Sequence, residues 1–319
     1  MEGDELCEAC VSFEPDSQTF AVMQKSGMVL DGRYELQQFL GQGGMGQVWR
    51  ALDRRAGREV AVKLLSRQSR NLAPADVQLA AEYKAMAMVE HEHIVQVYDY
   101  ARAQIPDIQG GGFVETGYYT MALVPPPRVT VEHLIRRRVL SPLLGIGLAR
   151  GIAKALEALA EHRIVHGDIK PANVFVVAAG EHEAAQSHAL LSDLSACRLP
   201  DDSQRTVLAA GTPSYMAPEL LDDVTGRAPG RVSCAADVWA FGALLFEMLT
   251  GTMLLPPAGS TPAEVVAGIR GRMTRRHIEE RVATVKQSAR LRALLEVCLQ
   301  PQAEARAPAS VVASELSPT

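Results

Sequence analysis

The stretch His166 to Asn173, HGDIKPAN, decides how this chain is read. It carries a carboxylate, an ammonium and a carboxamide at Asp168, Lys170 and Asn173. A second aspartate, Asp193, follows in SDLS, Ser192 to Ser195. A solvated loop carboxylate accounts for either acid alone. It does not account for two at this spacing with a lysine and an asparagine between them.

Upstream, Gly41-Gln42-Gly43-Gly44-Met45-Gly46-Gln47-Val48 follows the pattern GxGxxGxV. Glycines let a backbone approach phosphate oxygens and present N–H groups to them. Alone the pattern is weak, because a glycine-rich hairpin turn explains it nearly as often. No Lys-Ser/Thr pair follows, which argues against a Walker-type loop. Strands flank it on both sides, which argues against a dinucleotide fingerprint.

Val60-Ala61-Val62-Lys63 comes next. A lysine inside an apolar strand is costly unless paired. It either faces solvent on an edge strand or holds the phosphates of a nucleotide. In the second case its partner is a glutamate on the following helix. Glu82 lies inside that helix, whereas Glu90 and Glu92 sit at its end.

The bulk numbers frame these motifs. A chain of 319 residues with 47% hydrophobic and 22% charged residues has enough material for one large domain or two lobes. A net charge of −5 argues against a nucleic-acid partner. The acidic start MEGDELCEAC has no apolar core region, so no secretory signal is read. The most apolar run, Phe241 to Leu255, is interrupted by Glu247 and ends at Pro256-Pro257, so it reads as a buried helix and no membrane span is expected. The expected compartment is the cytoplasm. Five cysteines, an odd count, argue for reduced thiols. Cys7 and Cys10 form a CxxC, but no second pair follows at zinc-ribbon distance.

Residues 1–33 read as a tail. Short β-prone runs follow at Tyr34–Leu40, Gly46–Asp53 and Arg58–Leu65, then a helix over Leu72–Val89, then strands at Ile94–Tyr100 and Thr116–Val124. Residues 34–124 are therefore expected to form a five-stranded antiparallel sheet with one helix. Pro125-Pro126-Pro127 punctuates the chain. Over 125–315 helices dominate, at about Val131–Arg138, Leu143–His162, Ala235–Thr250, Ala263–Arg270 and Ser288–Leu299, with short strands at Val174–Val177 and Ala189–Ser192. The fold class is α+β: a small β-rich lobe, a hinge, and a larger helical lobe, with a ligand cleft between them.

Taken in order, GQGGMGQV, VAVK, HGDIKPAN, SDLS, GTPSYMAPE and DVWAFG resemble the eukaryotic-type (Hanks-type) Ser/Thr protein kinases, bacterial branch, over about residues 34–312. The resemblance implies a bilobal kinase fold and transfer of the γ-phosphate of ATP, with magnesium or alternatively manganese, to protein Ser/Thr hydroxyls. It implies Asp168 as the catalytic aspartate and Lys170 as its charge-neutralising neighbour. Asn173 and Asp193 would be the metal ligands. Gly41 to Gly46, Val48, Ala61, Lys63 and Glu82 would bind ATP. Met121, Ala122, Leu123 and Val124 would form the hinge against adenine, with Met121 as gatekeeper. Thr212 would sit in the loop that receives substrate, hydrogen-bonded to the catalytic aspartate and lysine. Glu219, Asp237 and Arg306 would be structural supports, and Met86, Val97, His166 and Leu194 a spine joining the lobes.

Beyond the conservative apolar exchange of Leu194 for phenylalanine, two positions depart from the family pattern. Gly167 replaces the arginine that usually binds a phosphorylated activation loop, and Ser195 stands where DFG has glycine. The first implies weak dependence on phosphorylation of that loop, in which Ser203 and Thr206 are candidate acceptors. Two alternatives share the fold. One is a pseudokinase acting as a nucleotide-binding scaffold. The other is a small-molecule phosphotransferase, which Lys170 and the GTPSYMAPE segment disfavour.

Overall fold

Short apolar-polar alternations separated by tight turns build the first lobe. A computed structural model of the protein describes residues 26–43, 46–65, 75–106, 111–177, 187–194, 197, 212–224 and 232–317. Strands β1 (Val29–Leu30), β2 (Tyr34–Gln42), β3 (Gly46–Asp53), β4 (Arg58–Leu65), β5 (Val97–Pro106) and β6 (Phe113–Met121) pair antiparallel in the order β1-β2-β3-β4-β6-β5. One face of this sheet closes over its own core of Leu30, Leu36, Trp49, Val62, Leu64 and Tyr118. The other face receives helix α1 (Ala75–Ala87), which buries Leu79, Glu82, Ala85 and Met86.

Register places the chemistry on that second face. Val48 lies opposite Lys63, and Lys63 opposite Tyr119, giving one row across three strands. Ala61 lies opposite Met121, two residues along on the same face. At the near end of the row, a Cβ on Gly46 would stand 2.6 Å from the Leu64 carbonyl oxygen, so only glycine lets β3 approach β4 this closely.

The second lobe is organised by two long helices. Helix α3 follows α2 (Val131–Arg136) and runs Pro142–Glu161, with Ser141 accepting the Leu144 N–H as its cap and proline at the first helical turn. After the hairpin β7 (Val174–Val177) and β8 (His188–Leu191) and the short α4 (Pro218–Val224) comes α5 (Cys234–Thr250). Its residues Ala236 to Leu249 are all buried, as expected for a helix apolar on every side. Gly251, at φ 71°, ends it by taking the left-handed conformation. Helix α6 (Pro262–Arg272) contacts α4, α7 (Arg275–Val282) contacts α8 (Ala289–Cys298), and α8 and α9 (Ala309–Leu316) pack against the long pair.

The bilobal α+β expectation holds, with several differences in detail. The sheet has six strands rather than five, because Val29–Leu30, expected within a tail, pairs in register with Tyr34 and Glu35 across the turn at Asp31-Gly32. The strands expected at Ile94–Tyr100 and Thr116–Val124 form one long hairpin, Val97–Pro106 with Phe113–Met121. Ile94 instead bridges to Leu191 of the second lobe. Helix α2 stops at Arg136, since Arg138 turns left-handed at φ 57°. Helices α4, α7 and α9, each only seven or eight residues long, add to the helices expected from the sequence. Leu72 to Pro74, Cys7, Cys10, Gly44, Met45, Ser195, Ser203 and Thr206 lie outside the described residues.

Candidate active site

Lys63 is buried to 6% exposure in the middle of β4, where an unpaired ammonium would be costly. Two carboxylates meet it. Its Nζ donates to Glu82 Oε1 at 2.6 Å and to Asp193 Oδ1 at 2.8 Å. Burial pulls the Lys63 ammonium down, but Asp193 and Glu82 outweigh it and hold the pKa well above the ordinary lysine value. Burial also pushes the Glu82 carboxyl up, opposed by Lys63. The choice of Glu82 over Glu90 and Glu92 is therefore settled by packing, as the latter two are exposed.

Asp193 reaches Lys63 because its backbone adopts φ 64°, turning the chain sharply after β8. The residue before it is tied to the catalytic-loop candidates. Ser192 donates both its N–H and its hydroxyl to the Asn173 carbonyl, at 3.0 and 3.1 Å. His166 Nε2 lies 3.2 Å from the Ser192 carbonyl. Asp193 and Asn173 are thus held on neighbouring, cross-linked segments.

Within HGDIKPAN, Asp168 Oδ2 takes Lys170 Nζ at 2.7 Å and Asn173 Nδ2 at 3.0 Å, and Asn173 Nδ2 also donates to the Asp168 carbonyl at 2.8 Å. With its amide nitrogen so engaged, Asn173 keeps its amide oxygen as the atom that could ligate a cation. One amide oxygen and the Asp193 carboxylate are hard donors, matching a small divalent cation that takes its remaining ligands from phosphate and water. Thr212 lines a small cleft with Gly167 and Asp168. Among the described residues, the expected hydrogen bonds from its hydroxyl to Asp168 and Lys170 are not formed; Asp168 Oδ2 instead takes Lys170 and Asn173.

Gly167 has a local reason. Its φ is 79°, a region costly for side-chain-bearing residues. Asp237 in the first turn of α5 holds this conformation by accepting the His166 N–H at 2.7 Å and the Gly167 N–H at 2.9 Å. Burial raises the Asp237 carboxyl, and these amides favour its charged form.

The strand end leading out of the row is similarly fixed. The Ala122 N–H donates to the Gln96 carbonyl at 2.8 Å, and Arg128 Nε donates to the Val124 carbonyl at 2.9 Å. Met121, Ala122 and Leu123 are half-buried and Val124 is buried. In the loop, Gly41 pairs with Val48, and the Gly43 N–H donates to the Gly46 carbonyl. Met86, Val97, His166 and Leu194 are all buried. Glu219 and Arg306 form a bidentate pair at 2.7 and 2.8 Å.

Sequence reasoning missed Tyr119, Ser192, Gln96 and Arg128. Tyr119 alone left a trace, a phenol in an apolar strand two residues before Met121. The others act in hydrogen bonds whose acceptors are backbone carbonyls, which no side-chain pattern announces.

Residues 34–315 match the family model described as the protein kinase domain. The chain is 32% identical over 228 residues to the serine/threonine-protein kinase PknA of Mycobacterium tuberculosis, covering 70% of this chain and 48% of that protein. It is 33% identical to PknD of the same organism over 225 residues, 69% of this chain and 30% of that protein. It is 31% identical to PkaB of Streptomyces coelicolor over 298 residues, 90% and 62% of the two chains. The chain thus spans about half the length of the first of these relatives. No helix among the described residues is long and apolar enough to cross a membrane.

Proposed function

The chain belongs to the protein kinase family, of the bacterial Hanks type, and on that premise we propose that it transfers the γ-phosphate of ATP to Ser/Thr hydroxyls of proteins, with little dependence on activation-loop phosphorylation. The observation that carries this reading is the Lys63 ammonium seated between Glu82 and Asp193 in the absence of an arginine at Gly167. The lysine–glutamate pair is formed without any phosphate-binding arginine at that position.

In this reading Lys63 holds the α- and β-phosphates. The substrate hydroxyl oxygen bonds to the γ-phosphorus as the bond to the ADP oxygen breaks, and the hydroxyl proton passes to Asp168. Lys170, paired with Asp168, offsets charge on the transferred group. Asn173 and Asp193 would hold magnesium, which supplies charge neutralisation on the phosphates when bound. The backbone of Met121 to Val124 would receive adenine. The free thiols Cys197, Cys234 and Cys298 fit a reducing cytoplasm.

Purified protein is incubated with γ-labelled ATP, magnesium and a generic basic acceptor, beside Asp168→Ala and Asp193→Ala. Transfer lost in both variants and unchanged after phosphatase treatment is the expected result. A collapse of the rate after phosphatase treatment refutes the regulatory half. No transfer by the wild type refutes the catalytic half.

A further inference from the structure

Tyr119 stands directly across from Lys63 in the β4–β6 register, 1% exposed. Its hydroxyl donates to Glu82 Oε1 at 2.8 Å, the same oxygen that accepts Lys63 Nζ at 2.6 Å. Its ring lies 6.2 Å from that of Tyr83 on α1, and Tyr83 in turn donates its hydroxyl to the Tyr98 carbonyl on β5 at 3.3 Å. Lys63 Nζ lies 5.9 Å from the Tyr119 ring centroid. A buried phenol therefore ties strand, helix and the lysine–glutamate pair at one point.

We propose that Tyr119 is a positioning residue for phosphoryl transfer: its hydroxyl clamps the Glu82 carboxylate and so keeps α1 docked with Lys63 aimed at the nucleotide phosphates. This rests on the kinase reading of the site. The need for such a clamp is visible in Glu82 itself. The carboxylate is fully buried, and its Oε2 has no hydrogen-bond partner among the described residues. Oε1 alone carries both donors. Burial, and then the neighbouring Glu82 charge, keep the phenol protonated and hence a donor throughout the working pH range. A clamp supplied by β6 also accounts for how Glu82 can be held in a chain whose Gly167 offers no arginine to a phosphorylated loop.

Tyr119→Phe removes the hydroxyl and keeps the ring. Wild type and variant are compared by steady-state phosphorylation with ATP varied, across pH 6 to 9. The expected result is a fall of about ten-fold in kcat/KM for ATP, the scale of losing one hydrogen bond to a buried charge, with a raised KM for ATP. The acid limb of the profile moves to higher pH, because a carboxylate with one donor fewer is protonated more easily. A purely structural role predicts otherwise: partial unfolding lowers kcat through the active fraction and leaves KM for ATP and the limb unchanged. A kcat/KM within two-fold of wild type with the same limb overturns the proposal while leaving the kinase reading intact.

A second readout needs no turnover: the rise in melting temperature on adding ATP and magnesium. If the wild type transfers no phosphate, the kinase reading fails, and this shift decides the clamp. A smaller shift in Tyr119→Phe upholds it, and an equal shift, or none in either protein, overturns it. Tyr119→Met, which fills similar space without a hydroxyl, replaces the phenylalanine variant should that fail to fold. Failure of both variants to fold assigns the residue to the core and overturns the proposal.

Discussion

Replacing Arg306 with alanine tests the arrangement that anchors the segment after GTPSYMAPE. The Arg306 side chain is fully buried and all its donor capacity is used. Nε donates to the Gln300 carbonyl at 2.8 Å. Nη1 donates to Glu219 Oε1 at 2.7 Å and the Ala235 carbonyl at 2.9 Å, and Nη2 to Glu219 Oε2 at 2.8 Å and the Pro301 carbonyl at 3.1 Å. The guanidinium also lies 5.2 Å from the Trp239 ring centroid. Arg306→Ala takes the guanidinium's donors from a carboxylate and three carbonyls. Removing one partner of a buried ion pair costs about 3–5 kcal/mol. Glu219 is 19% exposed, so water reaches part of the gap and holds the total to about 4 kcal/mol rather than the sum over all five bonds.

For a domain of this size that corresponds to a drop of roughly 6–7 °C in melting temperature. The assay is thermal unfolding followed by circular dichroism at pH 7.5, repeated in 0.5 M salt. Because the pair is buried, salt should barely change the difference. Arg306→Lys should rescue little, since an ammonium cannot present a planar fork to two oxygens and three carbonyls. Arg290→Ala is the control: its pair with Glu315 is half-exposed on both sides, and its loss should cost under about 1 kcal/mol. An Arg306→Ala protein melting within 2 °C of wild type refutes the accounting.

Other expectations follow from single contacts. Gly167→Ala should cost about 1 kcal/mol, or roughly 1–2 °C in melting temperature, because φ 79° disfavours any Cβ; an unchanged melt would show that the left-handed turn is not strained there. Gly46→Ala should lose about 1–3 kcal/mol and weaken ATP binding, as its Cβ would meet the Leu64 carbonyl; titration of nucleotide by melting-temperature shift checks it, and wild-type affinity would count against the close strand approach. The Arg33 guanidinium pulls the Asp53 carboxyl down to about 2. A carboxyl lowered on folding contributes stability above its unfolded value near 4 and loses it as the pH falls through about 2. The melting-temperature gap between wild type and Asp53→Asn should therefore be widest above pH 4 and narrow steadily below it; a gap independent of pH in that window would sink the assignment.

Much of the site was legible because the chemistry needs rare residues in fixed local order. Asp168, Lys170 and Asn173 lie within one turn-rich segment, and their mutual hydrogen bonds span at most five residues. Local geometry alone brings them together. Lys63 was legible as an oddity, a charge in an apolar strand that burial makes intolerable without a partner. The identity of that partner was a spacing argument until packing buried Glu82 and exposed Glu90 and Glu92. The strand Val29–Leu30 was not legible, since two residues carry no periodicity and pair only because the sheet edge is there to receive them.

Residue types and their order determined the family, the two-lobe division and the roster of ionisable groups. Tertiary structure decided which of those groups touch. Lys63 and Asp193 are separated by 130 positions in the chain, and Glu219 and Arg306 by 87, so their contacts depend on how the lobes and helices pack rather than on local pattern. Tyr119 shows the same division most plainly. In sequence it is one aromatic among several in a strand, and only the antiparallel register of β4 and β6 sets its hydroxyl on the carboxylate that holds Lys63. A hydrogen bond requires placement to within a few tenths of an ångström, and that precision comes from the close-packed interior of the whole lobe.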